Sequence, residues 1–258
     1  MRIGLVLSGG AARGIAHLGV LKALDEFNIK IDAISGVSSG AVAGIFYAAG
    51  YKPTEILKLI KELSLFQIIR PTLRQVGFMH LDEIEKLFCK YLGANRTFEQ
   101  LRIPVTVTAT EINKAEIIYF SEGSIIQPLL ASVAAPIIYK SVVFEDKVLQ
   151  DGGLLNNMPI DPIRESCDKI IGVHVNPINK EAKITTMRGM IERTLQLAVN
   201  NNVKLRLPQC DLVLEPEALV NYRLTSFRKA DEIFEVGYQH ALKHETALRK
   251  LAESSARI

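Results

Sequence analysis

Cysteine is scarce in this sequence: Cys89, Cys167 and Cys210 are the only ones, odd in number, far apart and without CxxC spacing. That pattern excludes a disulfide framework and a cysteine-based zinc site, and it suits a reducing compartment. No His, Cys or acidic cluster has strong metal-ligand spacing, so neither a metal nor an organic cofactor is expected. Long apolar runs are missing as well. The run GAVAGIFYAAG from Gly40 falls short of the roughly 18 residues that cross a bilayer. At the N-terminus, MRIGLVLSGG has one basic residue and a short apolar run that passes straight into glycines, which reads as a first strand and not as a leader. A large charge of one sign is absent too: the formal net charge is +3, with Lys and Arg spread along the chain, so no nucleic-acid footprint stands out and only weak attraction to anionic surfaces is expected. The expected location is cytoplasmic, with any membrane contact peripheral.

What is present describes a folded enzyme-sized domain. With 258 residues, 48% hydrophobic and 23% charged, the chain can bury a large core. Ile3 to Leu7 reads as a buried strand ending in glycines, and Gly14 to Phe27 places Ile15, Leu18, Leu21 and Leu24 at helical spacing. Ile31 to Ser35 reads as a second strand, GVSSG as a turn, and Ala41 to Ala49 as a helix, so the first fifty residues form a βαβα unit. Helices are expected from Pro53 to about Leu63, from Leu81 to Tyr91 and through SIIQPLLASVAAP to Pro136. Further strands are expected at Pro104 to Thr110, Glu116 to Phe120, Ile170 to Val175 and Asp211 to Leu214, with a hairpin of Val142 to Phe144 and Lys147 to Gln150. Asp161-Pro162 opens a helix in the manner of an N-cap followed by proline. Met187 to about Leu205 and Lys229 to Ala252 complete a helical C-terminal part over 187–258. No repeat or linker interrupts the chain. The expected architecture is one domain over 1–258, a three-layer α/β/α sandwich on a mostly parallel sheet, with residues 63–80 as a candidate cap.

Three segments carry chemistry. Serine is a weak nucleophile unless its hydroxyl is exposed, a base stands beside it and donors surround the reacting carbonyl. In Gly36-Val37-Ser38-Ser39-Gly40 the two glycines let a strand turn sharply into a helix, which lifts Ser38 above the sheet edge and aims a positive helix end at it. Asp151, at a strand end and followed by Gly152 and Gly153, can approach the same edge as the base, or else the three residues merely form a turn. The loop Gly9-Gly10-Ala11-Ala12-Arg13-Gly14 offers free N–H groups for an oxyanion. A dinucleotide site is disfavoured there, because position 11 lacks the second fingerprint glycine and no acidic residue closes the second strand.

Together these segments resemble the patatin-like phospholipase family in its compact bacterial form. The corresponding stretches are LSGGAARGIAHLGVL at 7–21, GVSSGA at 36–41, ASVAAPIIYKSV at 131–142 and LQDGGLLNNMP at 149–159. The resemblance covers about residues 1–180. It implies a lipid acyl hydrolase working through a Ser38–Asp151 dyad without histidine, with the N–H groups of Gly9, Gly10 and Ala11 as oxyanion hole and Arg13, Gly14, Gly36, Gly40, Gly152 and Gly153 as supporting motif. The chain departs from the family at Ala11, where a third glycine is usual; if that position needs a positive φ, alanine is strained there.

Around this core the assignments are plainer. Arg13 holds the loop through a salt bridge or meets an anionic head group. His17 reads as a packed or capping histidine, Ser39 as a neighbour of the nucleophile, and Asn156 and Asn157 as turn residues. A Ser-Asp-His hydrolase would recruit His174, His240 or His244, but Ser38 follows only the second strand, earlier than that class places its nucleophile. A non-catalytic lipid- or acyl-binding protein on the same fold is the rival from another class. The expected partner is a lipid or other acyl ester. In the candidate cap, Leu65, Phe66, Ile68 and Ile69 with Arg70 and Arg74 would either dip into a lipid interface or pack against the sheet. Oligomeric state is not encoded in any legible pattern.

Overall fold

The computed structural model of the chain describes residues 1–69 and 81–253. Its elements run β1 (Ile3–Leu7), α1 (Ala16–Glu26), β2 (Ala33–Val37), α2 (Ser39–Ala48), α3 (Pro53–Ile69), α4 (Asp82–Leu92), β3 (Val105–Glu111), β4 (Glu116–Phe120) and α5 (Ile126–Val133). They continue with β5 (Val142–Phe144), β6 (Lys147–Asp151), α6 (Asp161–Arg164), β7 (Lys169–Val173), α7 (Met187–Lys204), β8 (Leu212–Leu214), α8 (Ala230–Lys243) and α9 (Glu245–Glu253). Strands β3, β2, β1, β7 and β8 are neighbours in that order and all parallel, while β4, β5 and β6 add antiparallel pairs at the β3 end.

A strand buried on both faces disfavours polar side chains, and β1 (IGLVL) carries none. Leu5 and Leu7 join one cluster with Leu18, Leu21 and Leu24 of α1, Phe46 of α2, Leu129 of α5 and Ile233 of α8. Val6, between them, faces the opposite side, against Met158, Ile160, Ile163, Ile170 and Val203 of α7. Helices therefore cover both faces, and the fold is the expected three-layer α/β/α sandwich on a mostly parallel sheet.

The register of β3 brings two distant segments together. From Val107 to Glu111 it pairs with β4 along one edge. On the other edge β2 pairs up to Val37↔Thr108, and β6 takes over from Ala109↔Asp151. Because β2 runs parallel to β3 and β6 antiparallel, their C-terminal ends point at each other. Ser38 and Asp151 consequently arrive at one place along a single strand edge.

Some expected boundaries shift. β2 extends two residues further than expected, to Val37, because it is a central strand paired on both sides through Gly36. α3 continues to Ile69 instead of stopping near Leu63. Of the candidate cap, the backbone of residues 63–69 belongs to α3, and the remainder, with Arg70 and Arg74, lies outside the described residues. The expected single helix from Lys229 to Ala252 is broken at His244. There the backbone N–H of His244 donates to the Ala241 carbonyl, and its ring Nδ1 takes the His240 carbonyl at 2.9 Å that a continuing α-helix would use.

The C-terminal part is bound tightly into the sandwich. A Cβ added at Gly237 of α8 would stand 2.0 Å from the Ala16 carbonyl oxygen, and one at Gly19 of α1 would stand 2.1 Å from that of Phe234. Backbone meets backbone where no side chain fits. Gly237→Ala is expected to destabilise the protein by about 3 kcal/mol, overpacking outweighing the roughly 1 kcal/mol gain in helix propensity. Urea unfolding checks this, and a variant as stable as wild type would contradict the close helix contact.

Candidate active site

Ser38 occupies the turn between β2 and α2 with φ 54° and ψ −127°, a conformation that a non-glycine residue adopts only under constraint. Two contacts supply the constraint. A Cβ at Gly40 would lie 2.2 Å from the Leu7 carbonyl oxygen, so the first turn of α2 sits directly on the backbone of β1. From α5, the buried Ser132 accepts the Ser38 N–H at Oγ (2.8 Å) and donates its own hydroxyl to the Thr108 carbonyl (2.7 Å). The neighbouring Ser39 turns away: its hydroxyl is buried against Gly14 and has no partner among the described residues.

Asp151 ends β6, with its N–H donated to the Ala134 carbonyl at 3.0 Å. Its Oδ1 accepts the Gly153 N–H at 2.8 Å, where Gly152 and Gly153 open a 3-10 turn, and the Ser38 side chain is near enough to the carboxyl to lower its pKa. The residue keeps some exposed surface while the carboxyl itself is surrounded by protein. Desolvation pushes the carboxyl pKa up to about 6, against the Ser38 side chain and the Gly153 N–H, which pull it down.

The glycine-rich loop runs from β1 into a 3-10 turn over Ala11–Ile15. Gly9 does not supply the expected free donor, since its N–H goes to Asn157 Oδ1 at 3.0 Å. The N–H groups of Gly10 and Ala11 meet no acceptor among the described residues. Ala11 has φ 48°, the left-handed region in which alanine is strained. Arg13 is buried and its partners are neutral: Nε donates to the Tyr222 carbonyl (2.8 Å), and Nη1 to Asn176 Oδ1 (2.7 Å) and the Pro177 carbonyl (3.2 Å). It holds the loop, though not through the expected salt bridge, and burial lowers its pKa.

The histidines lie elsewhere. His17 is fully buried, bonds through Nε2 to the Ser8 carbonyl at 2.8 Å and is held neutral by burial, with a pKa of about 4. His174 pairs with Glu215 at 3.0 Å, and the rings of His240 and His244 stand 4.5 Å apart. None of these rings is hydrogen-bonded to Ser38 or Asp151. Asn156 and Asn157 are more than turn residues, for both are buried: the Asn156 amide donates to the Tyr119 hydroxyl (2.9 Å) and Asp161 Oδ2 (3.0 Å). A cavity of about 600 Å³ lies at the opposite end of the sheet, among Arg2, Asp25, Lys30, Asp32 and Arg102, remote from these groups. Among the described residues no group of His, Cys, Asp and Glu is placed to hold a metal ion, and no helix is long and apolar enough to cross a membrane.

The sequence assigned no role to Ser132 and only a turn to Asn157. Ser132 stands in the ASVAAP segment that carried the resemblance, and Asn157 follows Asp151 by six residues, but only the fold shows what they touch. The Ala11 geometry has a measurable consequence: Ala11→Gly is expected to raise stability by about 1 kcal/mol, because glycine adopts this φ without steric cost. Chemical denaturation checks it, and a loss of stability would mean that the alanine is not strained.

Comparison with known proteins bears on the whole chain. The model of the family described as "Patatin-like phospholipase" matches residues 5–164, more than half of the sequence. An uncharacterized NTE family protein of Mycobacterium tuberculosis (strain H37Rv) is 32% identical over 178 residues, covering 68% of this chain and 49% of the relative. The lysophospholipase NTE1 of Meyerozyma guilliermondii is 26% identical over 271 residues, covering 93% of this chain but 19% of the relative. This chain therefore spans half or less of the length of these relatives. In three dimensions, VipD from Legionella pneumophila superimposes with a TM-score of 0.59 over 95% of this chain and 67% of its own, at 15% identity, which shows a shared fold. This chain belongs to the patatin-like phospholipase family.

Proposed function

We propose that this protein is a serine acyl hydrolase that cleaves carboxylic esters of lipids, with Ser38 as nucleophile and Asp151 as its base. One observation carries the reading: Ser38 sits on a strained strand-to-helix turn, and the register of β3 sets it beside a desolvated carboxyl. Family membership and the lysophospholipase relative support lipid as the substrate class. Ile137 and Ile138, exposed just beyond the Ala134 carbonyl that accepts the Asp151 N–H, offer apolar contact for an acyl chain.

In this mechanism Asp151 accepts the Ser38 hydroxyl proton while Oγ attacks the ester carbonyl carbon. The resulting oxyanion meets the N–H groups of Gly10 and Ala11 and the positive end of α2. Collapse expels the alcohol, which takes its proton from Asp151 and leaves an acyl-Ser38 ester. Water then gives a proton to Asp151, attacks the acyl carbon and releases the fatty acid as Oγ is reprotonated. A raised pKa makes Asp151 a stronger base than an ordinary carboxylate, yet leaves it ionised above about pH 6.

Ser38→Ala and Asp151→Asn are expected to lower hydrolysis of a short nitrophenyl ester and of a lysophospholipid by at least about 1000-fold while circular dichroism stays native. His240→Ala and His244→Ala should retain most activity. Full activity in folded Ser38→Ala would refute the reading, and selective loss in a histidine variant would favour a triad. Protonation of Asp151 should make wild-type kcat/KM fall as pH drops through about 6.

The same carboxyl gives an independent stability test. Its folded pKa of about 6 lies above the unfolded value of about 3.9, so the native state binds more protons between those values and loses stability as pH rises through that window. Asp151→Asn removes this penalty. It should be more stable than wild type at pH 8, with the advantage fading towards pH 4 in urea titrations; a pH-independent difference would mean that the carboxyl is not desolvated.

A further inference from the structure

The amide of Asn157 lies between the two loops that flank Ser38. A Cβ added at Gly9 would stand 2.6 Å from Asn157 Oδ1, and one added at Gly153 would stand 2.7 Å from the same oxygen. Gly9 and Gly153, 144 residues apart in the chain, are thus the two walls of one slot filled by a side chain that is 2% exposed. Within the slot, Asn157 addresses both polar groups of Gly9: Oδ1 accepts its N–H at 3.0 Å and Nδ2 donates to its carbonyl at 3.3 Å. Behind it stands Asn202 of α7. Its Oδ1 accepts the Asn157 N–H at 2.8 Å, and its Nδ2 donates to the carbonyls of Gly153 (3.1 Å) and Leu154 (3.3 Å).

These bonds form a continuous bridge from α7 through the turn after Asp151 to the loop bearing Gly10 and Ala11. We propose that Asn157, backed by Asn202, is the positioning residue that sets the distance between the Gly10 and Ala11 N–H groups and the Ser38–Asp151 pair. The proposal rests on the hydrolase reading above. Three properties follow from the chemistry. By taking the Gly9 N–H, Asn157 leaves the next two N–H groups as the oxyanion donors. The amide accepts the Gly9 N–H with one atom and donates to the Gly9 carbonyl with the other; a carboxylate there would face the Gly9 carbonyl and set a negative charge beside the developing oxyanion. The bridge makes no hydrogen bond to the Asp151 carboxyl, which accepts the Gly153 N–H.

The test compares wild type, Asn157→Ala and Asn157→Asp in the full chain, by steady-state hydrolysis of a soluble nitrophenyl ester and by amide hydrogen exchange of the segment 7–14. A displaced loop weakens binding of the transition state more than of the ester, so folded Asn157→Ala should lose about 100-fold in kcat with KM changed less than about 3-fold. Its pH inflection near 6 should stay in place, and the 7–14 amides should exchange faster than in wild type. Asn157→Asp should be slower still at pH 8. Wild-type kcat in folded Asn157→Ala, or unchanged exchange of the loop, would overturn the proposal. Should Asn157→Ala fail to fold, Asn202→Ala loosens the same bridge from α7, and a kcat unchanged there would equally overturn it. If wild type hydrolyses no ester, the hydrolase reading fails, while the exchange comparison still decides whether Asn157 holds the loop.

Discussion

The site depends on a single geometric fact, the head-to-head meeting of β2 and β6 along one edge of β3. Val37↔Thr108 and Ala109↔Asp151 are successive pairings on that edge, so one strand is the ruler that sets Ser38 against Asp151. A shift of either partner by one residue would turn every side chain on it to the other face of the sheet. The register is protected by burial: β3 is buried along its whole length, and Leu149 of β6 is fully covered. Core packing therefore places the two residues directly, because the apolar residues that fix the register also set Ser38 beside Asp151.

Local strain is distributed around this meeting point. Ser38 at φ 54° and Ala11 at φ 48° are both non-glycine residues in sparsely allowed conformations, one on each side of the site. Such conformations persist only where the surroundings over-determine them. For Ser38 the surroundings are the Ser132 hydroxyl, itself fixed to Thr108, and the close seating of α2 on β1. For the Ala11 loop they are Arg13, which reaches Tyr222, Asn176 and Pro177, together with the Ala12 N–H bonded to the Leu224 carbonyl at 3.0 Å. The segment after β7 and the segment before α8 thus act as scaffolding for a loop at the front of the chain. That gives the C-terminal third a role in the site although it contributes neither Ser38 nor Asp151.

What the sequence disclosed follows the range of the interactions involved. The elbow, the glycine-rich loop and the strand-ending Asp-Gly-Gly are local patterns, each set by backbone sterics over a few residues, and all three were legible together with the parallel sheet that their order implies. The side-chain contacts that hold them in place were not. Nothing in the letters shows that Asn157 would take the Gly9 N–H, so Gly9 looked like a donor; nor that Arg13 would find only carbonyl and amide acceptors. Ser132 hides in an apolar helix where a small polar residue has no periodic signal. The helix break at His244 was invisible for a different reason: a histidine ring that competes for the carbonyl four residues back leaves no glycine or proline to announce it.

In the proposed mechanism, the absence of histidine from the Ser38–Asp151 pair sets the energetic problem that the remaining groups must solve. A carboxylate with an ordinary pKa of about 3.9 is a poor acceptor for a hydroxyl proton at neutral pH. Raising it to about 6 by desolvation narrows the mismatch by roughly two pKa units, or about 3 kcal/mol, and this comes at the expense of folding stability. The larger part of the barrier falls to the oxyanion donors, each of which contributes on the order of 100- to 1000-fold when well aimed. Two N–H groups on a loop with a strained alanine are effective only if that loop cannot drift. Under that mechanism the rigidity of the glycine-rich segment is the natural counterpart of a weak base, and the buried amides and guanidinium behind it would matter to the chemistry as much as the carboxyl in front.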